Sequence, residues 1–365
     1  MERATEIAAP SGEEGARAHW FRDRLLRLGF EDADFDSAGN VIARWTPEPV
    51  ADGPAVVLAA HLDTVFPAHT DVRVVTENGV RRAPGIADNS RGLAALLALA
   101  RALRAVAWAP HRPVVFVATV GEEGAGNLRG VKHLLRAGAP LRRSRAFIAV
   151  DGSGRRQIVH RAVGSVRLRF EVTGPGGHSW ADRGRPNPLH ALASALVAWT
   201  RSVPPGAVVA ATRMAGGESV NAIPAAAWLE VDVRASEGET LSHAVTFVRQ
   251  AVERAVARTS RRRRPGSPAL TLTTRCIGDR PIGTIARDAP LVRVAAEATR
   301  LSGEEPEFTA ASTDANVPLA LGIPAIAVGA GGRSGSTHTT SEWYDNEGGP
   351  EGIQRLLLML VALAE

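Results

Sequence analysis

The chain has 365 residues, 45% of them hydrophobic and 22% charged, with a net charge of +5. That is the make-up of an ordinary folded protein of about two domains, and it excludes disordered, collagen-like and disulfide-framework classes. The single cysteine, Cys276, cannot form an internal disulfide, no apolar run approaches 18 residues, and the N-terminus carries no signal core, so the expectation is a cytoplasmic protein with no membrane partner. From the N-terminus, Ser11-Gly12-Glu13-Glu14 reads as a capping box. Trp20, Phe21, Leu25 and Leu28 then recur at helical spacing up to Gly29. Short apolar runs at Val56–Ala60, Val114–Val120 and Ala146–Val150 alternate with helical stretches near Asn89–Val106 and Asn127–Ala137. This is the pattern of a mostly parallel sheet covered on both faces.

From about Val163 the pattern changes. Val166–Val172 and Trp228–Arg234 alternate strictly, as strands with one wet face do, and helical segments near Pro188–Arg201 and Leu241–Arg258 lie between the strands. After Cys276 the α/β pattern returns, with a helix near Leu291–Leu301, a buried strand Ala325–Val328 and an apolar C-terminal helix. The expected division is an α/β domain over residues 1–162 and 282–365, interrupted by an inserted α+β domain over residues 163–281. Of the 43 basic residues only Lys132 is a lysine; the positive charge reflects an arginine-rich composition, and the run Arg261–Arg264 before Pro265-Gly266 reads as a solvated loop. No nucleic-acid partner is expected.

Ligands in open α/β sheets bind beyond the carboxyl ends of the strands. The first apolar run leads into His61-Leu62-Asp63, the second into Glu122-Glu123, and the third into Asp151. Gly85-Ile86-Ala87-Asp88-Asn89 opens a helix, and Ser336-Thr337-His338-Thr339-Thr340 is a flexible polar loop with a further histidine. Gathering so many carboxylates at one edge is costly unless cations neutralise them. Imidazole and carboxylate without thiolate suit Zn2+, and less selectively Mn2+ or Co2+. Two divalent ions could share the set, with one carboxylate bridging and another left over as a general base. The remaining histidines, among them His19, His133 and His160, read as structural.

In this order, the motifs resemble those of the M20 family of metallopeptidases, from Ala9-Pro10-Ser11-Gly12-Glu13-Glu14 and Gly39-Asn40-Val41 to His338-Thr339-Thr340-Ser341-Glu342. Gly174-Pro175-Gly176-Gly177-His178-Ser179, Ser219–Pro224 and Thr313-Asp314-Ala315-Asn316 make the chain most similar to the peptidase T-like di- and tripeptidases. The resemblance implies a zinc-peptidase-like catalytic domain with an inserted dimerisation lid, and so a homodimer. It implies His61 and Asp151 on one metal, Glu123 and His338 on the other, and Asp88 between them, followed by a cis peptide at Asp88–Asn89. Glu122 would be the general base, and Asp63 would orient His61. His178 and Asn221 would reach the partner's site, Arg234 would hold a substrate carboxylate, and Asp314 would touch substrate. Each of the last four has a plainer alternative: His178 and Asn221 as turn residues, Arg234 as the partner of Asp232, and Asp314 as a helix cap. The expected reaction is hydrolysis of a short peptide. N-acyl-amino-acid deacylation is the alternative, and a non-catalytic metal or peptide binder is disfavoured because it would have no use for Glu122.

Overall fold

The computed structural model describes residues 1–45, 53–106, 108–200 and 202–365, and the chain within them forms two compact units, residues 1–162 with 283–365, and residues 163–282. In the first unit the strands of a nine-stranded sheet run in the order Asp34–Phe35, Val41–Trp45, Val114–Thr119, Val56–His61, Ala146–Val150, Ala325–Val328, Gln157–Ala162, Gly283–Thr284, with Glu307–Ala311 also paired to Gln157–Ala162. The four central neighbours are mutually parallel. Every residue of those four strands is buried, because the chain clothes both faces. Val56, Leu58 and Ala60 point into a core shared with helices Gly15–Arg27, Ser90–Val106, Pro290–Leu301 and Gly349–Ala364. Val57 and Ala59 point into the opposite core with helices Arg129–Leu134 and Asn316–Ala320. Alternate residues of a strand face opposite sides, so a doubly covered strand must be apolar throughout.

Two local expectations are corrected. Ser11 does not cap the first long helix: that helix starts at Gly15 with no side-chain cap, and the Ser11 hydroxyl instead donates to Asp63 Oδ2 at 2.5 Å. A charged acceptor offers a stronger bond than a backbone amide exchange within the loop. The helix expected near Asn127–Ala137 is confined to Arg129–Leu134, because Asn127 and Leu128 both stand in the left-handed region, at φ 53° and 59°, which no right-handed helix admits.

A second sheet of this unit was not legible in the sequence. Four short antiparallel strands, in the order Arg333–Gly335, Trp343–Asp345, Val80–Arg82 and Val75–Glu77, join two distant stretches of chain. The register Trp343↔Arg82 and Asp345↔Val80 sets the 336–342 segment beside the 83–89 segment. The polar His338 segment, expected to be flexible, is therefore the tip of a paired hairpin.

The inserted unit is a four-stranded antiparallel sheet, in the order Ala207–Gly216, Ala226–Ala235, Gly164–Thr173, Thr271–Arg280. Its helices Pro188–Thr200 and Gly238–Arg261 pack on one face, around Phe170, Leu229, Trp199 and Val248. Burial alternates along Ala226–Ala235 as the sequence pattern required. Residue 201, the expected end of the first of these helices, lies outside the described residues. A separate two-residue ladder pairs Gly177–His178 with Ala222–Ile223. Among the described residues, no helix is long and apolar enough to cross a membrane.

Candidate metal centre

Because the central strands are parallel neighbours in register, their ends fall along one edge. His61 is the last residue of its strand, Asp151 follows Val150 directly, and Glu122-Glu123 follow Thr119 through Gly121. Gly121 turns at φ 64°, where a side chain would strike Arg129. Asp88 reaches the edge from the loop ahead of helix Ser90–Val106, and His338 from the hairpin tip.

These side chains meet in three overlapping groups: His61 with Asp88 and Asp151, Asp88 with Glu123 and His338, and His61 with Glu122 and Glu123, each with ligand atoms within 4.8 Å of one another. Asp88 lies between the two imidazoles. Its Oδ1 is 2.9 Å from His61 Nε2, and its Oδ2 is 3.1 Å from His338 Nε2. Asp151 Oδ1 is 3.7 Å from His61 Nε2, and Glu123 Oε1 is 2.8 Å from His338 Nε2. Nδ1 of His61 donates to the Asp63 carbonyl at 3.0 Å; a carbonyl can only accept, so the neutral ring presents the Nε2 lone pair to the cluster, as a metal ligand must. The peptide Asp88–Asn89 is cis.

The charges are strongly coupled. Burial alone would lower the His61 pKa, but Asp151, Asp63 and Asp88 raise it well above the ordinary value. Hydrogen bonds to Asp88 and Glu123 push His338 up to about 10. Burial would raise Asp88, yet its bonds to His338 and His61 hold it well below the usual carboxylate range. Divalent cations can replace those protons, because each oxygen and nitrogen in the groups becomes a ligand once deprotonated. The donor set of two imidazoles and carboxylates, with no thiolate, fits Zn2+.

Four residues hold this cluster, and of these the sequence assigned a role to Asp63 alone. Asp63 was expected to orient His61, and its carboxylate does so only at 3.7 Å. Its closer bonds are from the backbone N–H groups of Glu122 and Glu123, each at 2.9 Å, and from Ser11. Burial would raise Asp63, but bonds and charge from His61, then Ser11 and the Glu123 amide, bring it down to about 2. Glu342, fully buried, accepts the N–H groups of Ala87 and Asp88 at 2.8 and 3.0 Å on one oxygen and of Gly85 at 3.0 Å on the other. Asn89 donates to the Val150 carbonyl at 2.8 Å while its Oδ1 accepts from Gly92 and Gly152. An ionised aspartate there could not donate. Arg17 is buried and donates to the carbonyls of Leu62 and Ile7, both at 2.7 Å. Burial lowers its pKa to about 10 against the charge of Asp63.

Asp314 is corrected. It does not cap the helix that follows: it is 4% exposed, Thr119 Oγ1 donates to its Oδ2 at 2.5 Å, and its Oδ1 is buried with no partner. The turn around it is held instead by Asn316 Oδ1 accepting from Thr313 and by Thr313 Oγ1 accepting from Ala315. Burial first, then the charges of Asp63 and Asp151, push its pKa up to about 6 against the Thr119 bond.

In the inserted unit the ladder brings His178 and Asn221 together, with Ser179 N–H donating to the Asn221 carbonyl at 2.9 Å. His178 Nδ1 accepts the N–H groups of Trp180 and Ala181 at 3.2 and 3.4 Å, so in the neutral ring Nε2 carries the hydrogen. Asn221 Oδ1 accepts from Ser219 at 2.6 Å, which leaves its amide NH2 as donor. Arg234 Nε donates to Asp232 at 2.7 Å, the plainer contact anticipated for it.

A three-layered α/β/α unit with carboxylates and imidazoles converging at its strand ends is the architecture of a metallopeptidase. The chain belongs to Peptidase family M20/M25/M40, whose model matches residues 57–362; it is a member of a family of hydrolases. It is 36% identical over 140 residues to the [LysW]-lysine hydrolase of Deinococcus radiodurans, a match spanning 38% of this chain and 36% of that protein. The chain thus covers about a third of the length of the curated relative it matches. Its fold is that of aminopeptidase PepT from Bacillus cereus (TM-score 0.74, 20% identity, 100% of this chain and 97% of the other). It is also that of the YXEP protein of Bacillus subtilis, a dinuclear metal binding peptidase of the M20 family (TM-score 0.70, 19% identity, 100% and 96%).

Proposed function

We propose that this protein is a two-metal hydrolase that cleaves the amide bond of short peptides, as a peptidase T-like di- or tripeptidase. The observation that carries the proposal is the placement of Asp88, with one carboxylate oxygen toward each histidine and a further carboxylate, Asp151 or Glu123, beyond each. His61 and Asp151 would hold one divalent ion, Glu123 and His338 the other, with Asp88 between them and Zn2+ the first choice. When bound, the ions supply Lewis acidity, polarising the scissile carbonyl and acidifying water.

The chain's own residues supply the proton movements and the positioning. Glu122 is 4% exposed beside His61 and Glu123; its carboxylate takes the proton of the attacking water and returns it to the leaving amine nitrogen. Asp63 fixes the Glu122-Glu123 backbone through both of its oxygens, so the base is held relative to His61. In a homodimer formed through the inserted unit, His178 of the partner subunit donates its Nε2–H to the oxygen that gains charge, Asn221 adds an amide donor, and Arg234 holds the substrate carboxylate. The largely exposed Ala207–Gly216 strand, at the edge of its sheet among the described residues, offers a sheet edge for such a dimer.

A second reading, hydrolysis of an N-acylated amino acid, uses the same groups, and it is supported by the relative whose name describes hydrolysis of [LysW]-lysine. A zinc-supplemented assay against dipeptides, tripeptides and N-acetyl amino acids separates the two. Turnover confined to N-acyl amino acids would replace the first reading with the second, and two metals bound without turnover of either would reject both.

A further inference from the structure

The turn that carries His178 is stiffer than its place on the surface requires, and it holds an apolar ring in solvent. Asp182 Oδ2 accepts the His178 N–H at 2.9 Å and its Oδ1 pairs with Arg185 at 2.9 Å and Arg264 at 3.5 Å. Arg185 also donates to the Gly176 carbonyl at 2.9 Å, and Arg264 N–H donates to Gly184 O at 2.7 Å. On this frame Trp180 is 74% exposed, the most exposed aromatic side chain among the described residues, with only the Arg183 guanidinium over its ring at 5.6 Å. The ladder pairs His178 with Ala222, and the next bond joins Ser179 to Asn221. Trp180 follows Ser179 and Val220 precedes Asn221 in the chain, so an exposed apolar residue stands next to each end of that bond, and Val220 is fully exposed. Two exposed apolar residues therefore adjoin two polar groups, Trp180 beside His178 on the braced turn and Val220 beside Asn221 on the segment bonded to it.

Exposed large apolar groups held rigidly beside convergent polar groups are the make-up of a binding surface. We infer that Trp180 and Val220 form an apolar clamp for a substrate side chain, so that the amides this enzyme favours carry a bulky aliphatic or aromatic residue next to the scissile bond. The inference rests on the proposed role of His178 and Asn221 at the substrate: groups that touch the scissile amide bring their immediate neighbours against the side chain beside it. A braced turn favours this occupant, since a clamp that need not be ordered on binding loses less on closing.

The experiment compares kcat/KM for dipeptides that differ only by glycine, leucine or phenylalanine on either side of the scissile bond, and measures calorimetric binding of the same compounds to the Glu122→Gln enzyme. Wild type should favour leucine or phenylalanine over glycine by at least about tenfold, the scale on which apolar contacts discriminate. Trp180→Ala should remove about that factor while leaving glycine substrates within about twofold, Trp180→Phe should retain most of it, and Val220→Ser should lose a smaller part. Sedimentation velocity of Trp180→Ala is run alongside. Loss of dimer without loss of side-chain preference would overturn the inference in favour of a second copy as the occupant, and an equal loss on all substrates would overturn it as well. Intact turnover with no side-chain preference would sink the clamp and leave the hydrolase reading standing. No turnover, but binding that depends on Trp180 and on side-chain bulk, would sink the hydrolase reading and leave the clamp.

Discussion

Glu122 and Glu123 are adjacent in sequence, and Asp63 clamps the backbone N–H groups of both. Glu122→Gln keeps the shape and removes the proton acceptor, so kcat should fall by about 10²–10⁴-fold while metal analysis still returns two ions per chain. Retention of more than about a tenth of wild-type kcat would remove Glu122 from the general-base role. Asp63→Ala should be more damaging than its distance from any reaction suggests. It releases both amides and the Ser11 hydroxyl, leaving buried donors unsatisfied at about 1–3 kcal/mol each. The expected result is a lower melting temperature together with loss of activity, and a variant unchanged in melting temperature would contradict the clamp.

At the scale of elements, the cluster depends on two loops being pinned to strand ends. Glu342 pins the Gly85–Asp88 loop by three backbone bonds, and Asn89 ties the start of helix Ser90–Val106 to the end of strand Ala146–Val150. Glu342→Gln keeps one acceptor oxygen but sets an NH2 against one of the amides. Groups that orient ligands typically tune metal affinity by about 10–100-fold. Titration with a chromophoric chelator should therefore show weakened metal binding in Glu342→Gln with the circular dichroism spectrum unchanged; unaltered affinity would mean that Asp88 needs no such support. Gly92 shows how close this junction is, since a Cβ there would lie 2.2 Å from Asn89 Oδ1 and 2.5 Å from the Val150 carbonyl.

At the scale of the whole molecule, metal removal and pH act on one charge balance. Without metal, the cluster is compensated by protons on His61 and His338, the latter raised to about 10 by Asp88 and Glu123. A histidine raised in the folded state stabilises fully below its unfolded value, about 6.5, and loses that contribution as pH climbs through the folded value. The melting temperature of the chelated protein should thus fall between pH 6.5 and 10, and fall further than that of the metal-loaded protein, whose cations do not titrate. Scanning calorimetry of both forms checks this, and a chelated protein that gains stability over the range would refute it. Assembly adds a second whole-molecule test. In the homodimer proposed above, mixing Glu122→Gln with His178→Ala subunits should restore about a quarter of wild-type activity, because about half the dimers would be mixed and each would have one complete site. If subunits exchange and nothing returns, His178 does not act across the dimer.

The sequence by itself determined the elements whose pattern is local. Continuous apolar runs marked the buried parallel strands, strict alternation marked the half-exposed strands of the inserted unit, and the residue after each run marked the edge where His61, Glu122, Glu123 and Asp151 emerge. It could not show what lies across space from those positions. Ser11 has the spacing of a helix cap, but its acceptor is 52 residues away. Glu342 serves a loop some 255 residues before it in the chain. Asp314 sits in a turn whose sequence is as compatible with a cap as with the buried bond it makes to Thr119. The small sheet that brings His338 to Asp88 consists of three-residue strands, too short for a period to declare itself. Hydrophobic periodicity records which way a side chain faces along its own element, whereas a hydrogen bond between distant segments leaves no periodic trace; only the folded chain decides those partners.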